Sequence, residues 1–156
     1  MTRLAQAGDA APDFTLPRDG GGQMSLGDFK GKKLVLYFYP KDDTSGCTME
    51  AQDFKRLAND FAAAGAAIVG VSPDPVKQHD RFRDKYELTF PLLADESKQV
   101  LEAYGVWVEK SMYGRTYMGV ERSTFLIGPN GRIAHVWRKV KVPGHAEEVL
   151  AAAKSL

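Results

Sequence analysis

One cysteine, Cys47, stands in a chain of 156 residues, so no disulfide can form within the chain, a usage that suits a reducing compartment. An excess of charge is lacking too. Lysine and arginine number 21 against 20 aspartates and glutamates, a net of +1, which gives no global field for gripping a nucleic-acid backbone or an anionic membrane. Small molecules or proteins are the expected partners. The longest apolar stretches have the length of buried strands, well short of the roughly 20 residues that cross a bilayer. Met1 to Ala11 carry no long apolar run behind a basic start, so a soluble, cytoplasmic protein is expected. Internal repeats, low-complexity tracts and linkers are also missing, and the length suits one compact domain over 1–156. His79, His135 and His145 lie scattered without metal-ligand spacing, and a single thiol cannot build a thiolate-rich site, so neither metal nor cofactor is implied. Lys30, Lys32 and Lys33, like Arg138, Lys139 and Lys141, lack the interleaved aromatics that base stacking needs and read as solvated residues.

What is present reads as alternating strands and helices. Asp19-Gly20-Gly21-Gly22 is a turn between Phe14–Leu16 and Gln23–Leu26. Leu34–Tyr39 is a continuous apolar run rich in aromatic and β-branched residues, a buried strand that Pro40 ends. Phe54, Leu57, Ala58 and Phe61 recur on one helical face, which predicts a helix from near Cys47 to about Ala64, stopped by Gly65. Ala66–Ser72 is a second buried strand, and Pro75–Tyr86 a helix opened by Asp74 or Pro75. A short helix over Ser97–Ala103, strands over Ser123–Ile127 and Arg132–Trp137, and a closing helix over Ala146–Leu156 follow. Trp107, Met112, Tyr113, Tyr117 and Met118 read as an apolar loop, packed locally or lining a substrate entrance or subunit contact. A βαβ unit, a hairpin and a last helix predict an α/β fold of the thioredoxin-like kind, a central mixed β-sheet flanked by α-helices.

The informative stretch is Tyr39–Glu50, which sets Cys47 in the first turn of a helix just past the carboxyl end of a buried strand, where α/β sheets open their ligand crevices. A free thiol has a pKa near ~8.5, and unsatisfied N–H groups at a helix start favour the thiolate, the nucleophilic form. An attack on an O–O bond also needs the peroxide held in line and the departing oxygen stabilised. Thr44, three residues before Cys47, has a hydroxyl within reach of the sulfur or a bound peroxide, and Pro40 offers no N–H and can shield one side.

Pro40-x-x-x-Thr44-x-x-Cys47 resembles the active-site motif of the peroxiredoxins, and the wider segment resembles their bacterioferritin comigratory protein or peroxiredoxin Q subfamily. Asp13-Phe14, Gly31-Lys32, Phe90–Asp95, Tyr113–Arg115, Arg122–Ile127 and Val140–Ala146 match the same subfamily in order and spacing, so the likeness covers nearly the whole chain. It implies a thiol-dependent peroxidase for hydrogen peroxide and organic hydroperoxides. In it, Cys47 attacks the peroxide and becomes a sulfenic acid, and Thr44 hydrogen-bonds the peroxide. Pro40 packs over the thiolate, Arg122 supplies a cation, and Glu50 is a weaker candidate for orienting an arginine. It further implies a monomer reduced by thioredoxin, or by glutaredoxin with glutathione.

Two departures matter. Subfamily members often carry a resolving cysteine five residues on, where this chain has Gln52, or on the next helix, around Arg83. Neither is present, so resolution by an external thiol is expected. Ser45 replaces a frequent proline, and a serine there can cap the helix. A dithiol oxidoreductase would need Cys-x-x-Cys, whose fourth position is Glu50. A redox sensor relaying oxidation of Cys47 to a partner is the alternative function.

Overall fold

In a computed structural model, residues 4–156 are described. Met1 to Arg3, the start of the segment read for a leader and of the expected domain, lie outside them. A small hairpin, β1 (Thr15–Pro17) and β2 (Gln23–Ser25), precedes β3 (Lys33–Phe38), the strand predicted from the long apolar run. Then follow α1 (Ser45–Arg56), α2 (Ala58–Ala63), β4 (Ala66–Ser72), α3 (Val76–Tyr86), β5 (Leu92–Ala94) and α4 (Gln99–Ala103). The chain closes with β6 (Trp107–Met112), β7 (Arg115–Val120), β8 (Ser123–Ile127), β9 (Ile133–Trp137) and α5 (His145–Ser155).

Five strands form the central sheet in the order β5-β4-β3-β8-β9. β3, β4 and β5 run parallel, and β8 pairs antiparallel with both β3 and β9, so the sheet is mixed. β3 is buried on both faces, which is why its residues read as an unbroken apolar run. Val35, Tyr37 and Tyr39 point to one face, where Cys47, Ala51 and Phe54 of α1, Phe61 of α2, Phe82 of α3 and Val149 of α5 pack. Leu34, Leu36 and Phe38 point to the other, beneath Leu101 of α4, Tyr104 and the Phe14–Leu16 segment. This is the thioredoxin-like layering that the alternating elements predict.

Two expectations change, and one strand is added. The helix expected from Cys47 to Ala64 starts at Ser45 and is broken at Leu57, which leaves helical geometry at φ −97° and ψ 5°. The apolar periodicity runs straight across that break, so it could not reveal it. The supposed apolar loop is the hairpin β6–β7, whose two-residue turn holds Tyr113 and Gly114 at φ 53° and 77°. Tyr–Gly is not one of the strong signals for such a turn, and only the glycine hinted at it. β5, lying inside Phe90–Asp95, is three residues long and too short to show a period.

Gly70 has a packing reason. A Cβ there would sit 2.9 Å from Cζ and 3.0 Å from the hydroxyl of Tyr37. The missing side chain is what lets the Tyr37 ring lie across β4 and stack on Phe54 at 4.7 Å.

Candidate active site

The site assembles where β3 ends and α1 begins. Thr44 is the N-cap residue of α1 by position, and its carbonyl accepts the first helical bond, from the Thr48 amide at 2.8 Å. Cys47 is therefore third in the helix, among the first-turn N–H groups that precede any intrahelical bond and favour an anion. Its side chain faces inward and the residue is 1% exposed.

Arg122 comes from the residue just before β8, brought beside α1 because β8 lies next to β3 in the sheet. Its Nη2 donates to Cys47 Sγ at 3.3 Å and its Nη1 to Glu50 Oε1 at 2.6 Å. One planar guanidinium thus spans the sulfur and a carboxylate one helical turn further on. Gly46 leaves room for it, since a Cβ there would lie 3.3 Å from Arg122 Nη2. Burial opposes the charge of Arg122, but Glu50 and the sulfur more than offset this, and its pKa is raised.

Glu50 is 2% exposed, and its Oε2 has no hydrogen-bond partner among the described residues. Burial raises its carboxyl to about 7, against the lowering influence of Arg122 and with a further push from Asp53. The carboxyl is thus poised to hold or release a proton near neutrality beside the thiol. Tyr37 lies on the same side, its hydroxyl buried and its pKa raised well above the ordinary value by burial, with Glu50 and Cys47 adding to the effect. His145, at the start of α5, shares a 2.8 Å hydrogen bond with Thr124. Burial and the nearby Arg122 charge bring it down to about 4, so it is neutral at physiological pH.

Of the residues singled out from sequence, Cys47, Arg122 and Glu50 are in direct contact. Thr44 is exposed, and its hydroxyl donates to the Lys41 carbonyl at 2.8 Å, closing the loop ahead of the helix. Pro40, half-buried, lies two residues beyond β3, which ends at Phe38. Ser45 does not cap α1; it is the first helical residue, behind Thr44. Gln52 is exposed on α1, and Arg83 is engaged by Asp19 at 3.2 Å and Asp84 at 3.0 Å. Tyr37, Gly46 and His145 were missed as parts of the site. Their contacts are long-range, and only the place of His145 in the Val140–Ala146 stretch hinted at them. A surface groove between β6–β7 and Lys139–Val140 reaches Arg122, with Tyr117 in its wall.

Comparison with known proteins identifies the family. The AhpC/TSA family model matches residues 7–136. The chain is 52% identical over 145 residues to a putative peroxiredoxin bcp of Coxiella burnetii, covering 93% of this chain and 96% of that one. It is 48% identical over 151 residues to peroxiredoxin Bcp of Bacillus subtilis, covering 97% and 96%. A solved structure of Xanthomonas campestris peroxiredoxin Q superposes with a TM-score of 0.89 at 47% identity, covering 99% of this chain and 97% of that one. The Xanthomonas bacterioferritin comigratory protein has been studied for alkyl peroxide reduction in trapped intermediate and ligand complexes.

Proposed function

The chain belongs to the AhpC/TSA family, and from that premise we propose that it is a one-cysteine thiol peroxidase acting on hydrogen peroxide and organic hydroperoxides. The observation that carries this reading is the Arg122 guanidinium shared between Cys47 Sγ and Glu50 Oε1. The Cys47 thiolate gives an electron pair to one peroxide oxygen. An S–O bond forms as the O–O bond breaks, and the departing oxygen takes both electrons of that bond and then a proton, leaving as water or an alcohol. Arg122 is the donor that steadies first the thiolate and then the departing oxygen, without reorganising in between. Glu50 holds the guanidinium in that orientation. Pro40 screens one side of the sulfur, and the Thr44 hydroxyl exchanges its Lys41 carbonyl for the peroxide when substrate binds.

Cys47 is the chain's one cysteine, so the sulfenic acid must be resolved from outside. An external thiol displaces water and forms a mixed disulfide. A second thiol then attacks that disulfide, releasing the Cys47 thiol and an oxidised dithiol product. Thioredoxin, or glutaredoxin with glutathione, is the proposed source of electrons for a single domain of 1–156 working as a cytoplasmic monomer. Among the described residues no helix is long and apolar enough to cross a membrane.

The test is peroxide consumption by purified protein. Wild type should consume one equivalent without reductant and turn over with one, and Cys47→Ser should do neither. Unchanged turnover in Cys47→Ser would overturn the mechanism.

A further inference from the structure

His79 has no part in the chemistry so far, yet it is fully buried in α3. Its Nδ1 lies 2.6 Å from Asp42 Oδ2, and its Nε2 lies 2.9 Å from the Leu93 carbonyl of β5. A carbonyl can only accept, so Nε2 carries a hydrogen. A contact of 2.6 Å between Nδ1 and a carboxylate oxygen also needs a proton between them, so the pair holds two protons in all. Asp42, 4% exposed at its side chain, accepts a second hydrogen bond from the Tyr39 hydroxyl at 2.5 Å. Its amide donates to Asp74 Oδ2 at 2.8 Å, and Ser72 Oγ donates to the same oxygen at 2.7 Å. Asp42, Asp74 and His79 come close enough together to suggest a metal site. Their converging atoms are already paired with one another and with Ser72 and Tyr39, and they form a closed hydrogen-bonded network instead.

Asp42 belongs to the loop between Pro40 and Thr44, so this network ties the entry to α1 to a different helix. A second tie runs outside it. Asp43, in the left-handed region at φ 61°, accepts from Lys85 Nζ and from the Tyr86 hydroxyl, both at 2.8 Å. Two consecutive loop aspartates are thus held by the two ends of α3, one in the interior and one at the surface.

This arrangement bears on the second half of the proposed reaction. Cys47 is 1% exposed, and an attacking thiol sulfur, larger than a peroxide oxygen and carrying its own chain, must come into bonding line with Sγ. The loop has to yield for that to happen. We propose that His79 is a positioning residue: through Asp42 it holds the Pro40–Thr44 loop in the arrangement that reacts with peroxide, and release of this pair admits the reducing thiol to oxidised Cys47. The inference rests on the peroxidase reading above.

The pair depends on pH. The titratable groups facing His79 among the described residues are Asp42, Tyr39 and Asp74. Burial alone would push the imidazole down, but the Asp42 hydrogen bond and charge, the Leu93 carbonyl and Asp74 more than offset it, and its pKa is raised. The holding energy is therefore fully present below the ordinary histidine range and is lost as pH rises through the raised value. Loss of the proton leaves a nitrogen lone pair facing the carboxylate.

The test measures the two half-reactions separately in wild type, His79→Gln and Asp42→Asn: oxidation by hydrogen peroxide, and reduction of the oxidised protein by glutathione. Both variants should react with peroxide about tenfold more slowly and be reduced several-fold faster, with amides 41–47 exchanging hydrogen faster. Equal slowing of both half-reactions, or no change in either, overturns the proposal. Wild type alone gives a second reading that needs no variant. After correction for intrinsic exchange, protection of amides 41–47 should fall as pH rises through the His79 titration; protection independent of pH overturns it. Wild type that fails to consume peroxide refutes the peroxidase reading instead, while loop protection still reports on the pair.

Discussion

Replacing Arg122 with methionine separates the catalytic role proposed for its guanidinium from the structural one. It removes a charge-assisted donor 3.3 Å from Cys47 Sγ and also the partner of a carboxylate that is 2% exposed. The first loss is chemical. Removal of a preorganised donor from a site of developing charge costs roughly 10²–10³ in rate, so the second-order rate constant with hydrogen peroxide should fall by about that factor. The second loss is structural, since stripping one partner from a buried ion pair costs about 3–5 kcal/mol when the other stays charged. It should depend on pH in a defined direction. Glu50 already sits at about 7, with Arg122 among the influences that lower it. Without Arg122 it rises further, and the native protein keeps that proton to a higher pH than the unfolded chain does. Stability then falls as pH rises above the ordinary carboxylate range, so Arg122→Met should lose much more stability at pH 8 than at pH 5, as read by urea unfolding. Adding Glu50→Gln removes the stranded charge, so the double variant should regain most of the stability at pH 8 and none of the peroxide rate. Recovery of the peroxide rate in the double variant would refute the reasoning, because the arginine would then be only a counter-ion for Glu50.

Two further substitutions test the surrounding structure. Gly70→Ala would place a methyl 2.9 Å from Tyr37 Cζ and 3.1 Å from Leu92 Cδ2, and overpacking at that position should cost about 1–3 kcal/mol in chemical denaturation. Thr44→Val keeps the shape but loses the hydroxyl that closes the loop on the Lys41 carbonyl and that we propose meets the peroxide. It should slow peroxide oxidation roughly tenfold or more, and Thr44→Ser should restore most of it.

The layout of the fold was readable because its main signals are local. The unbroken run in β3, the helical face of Phe54, Leu57, Ala58 and Phe61, and the glycine-rich turn before Gln23 each follow from neighbouring residues. Features set by long-range packing were not readable. The kink at Leu57 interrupts neither the apolar pattern nor the sequence chemistry, and the β6–β7 hairpin turns on Tyr113 in a conformation that non-glycine residues avoid. The site divides in the same way. Cys47, Thr44 and Pro40 lie within one stretch of eight residues and announce themselves by spacing, whereas Arg122 entered only through resemblance, because nothing in the intervening 74 residues says that β8 pairs with β3. Asp42 and His79 were passed over for that reason, one reading as a loop acid and the other as an isolated histidine until the fold set them 2.6 Å apart.

The most direct measurement of the central claim is mass spectrometry of the protein mixed rapidly with one equivalent of hydrogen peroxide in the presence of a sulfenate-trapping diketone. The account predicts one trapped adduct on Cys47, forming many orders of magnitude faster than on free cysteine and disappearing in Arg122→Met on the same timescale. A Cys47 that stays unmodified while peroxide is consumed, or that reacts no faster than free cysteine, would contradict it.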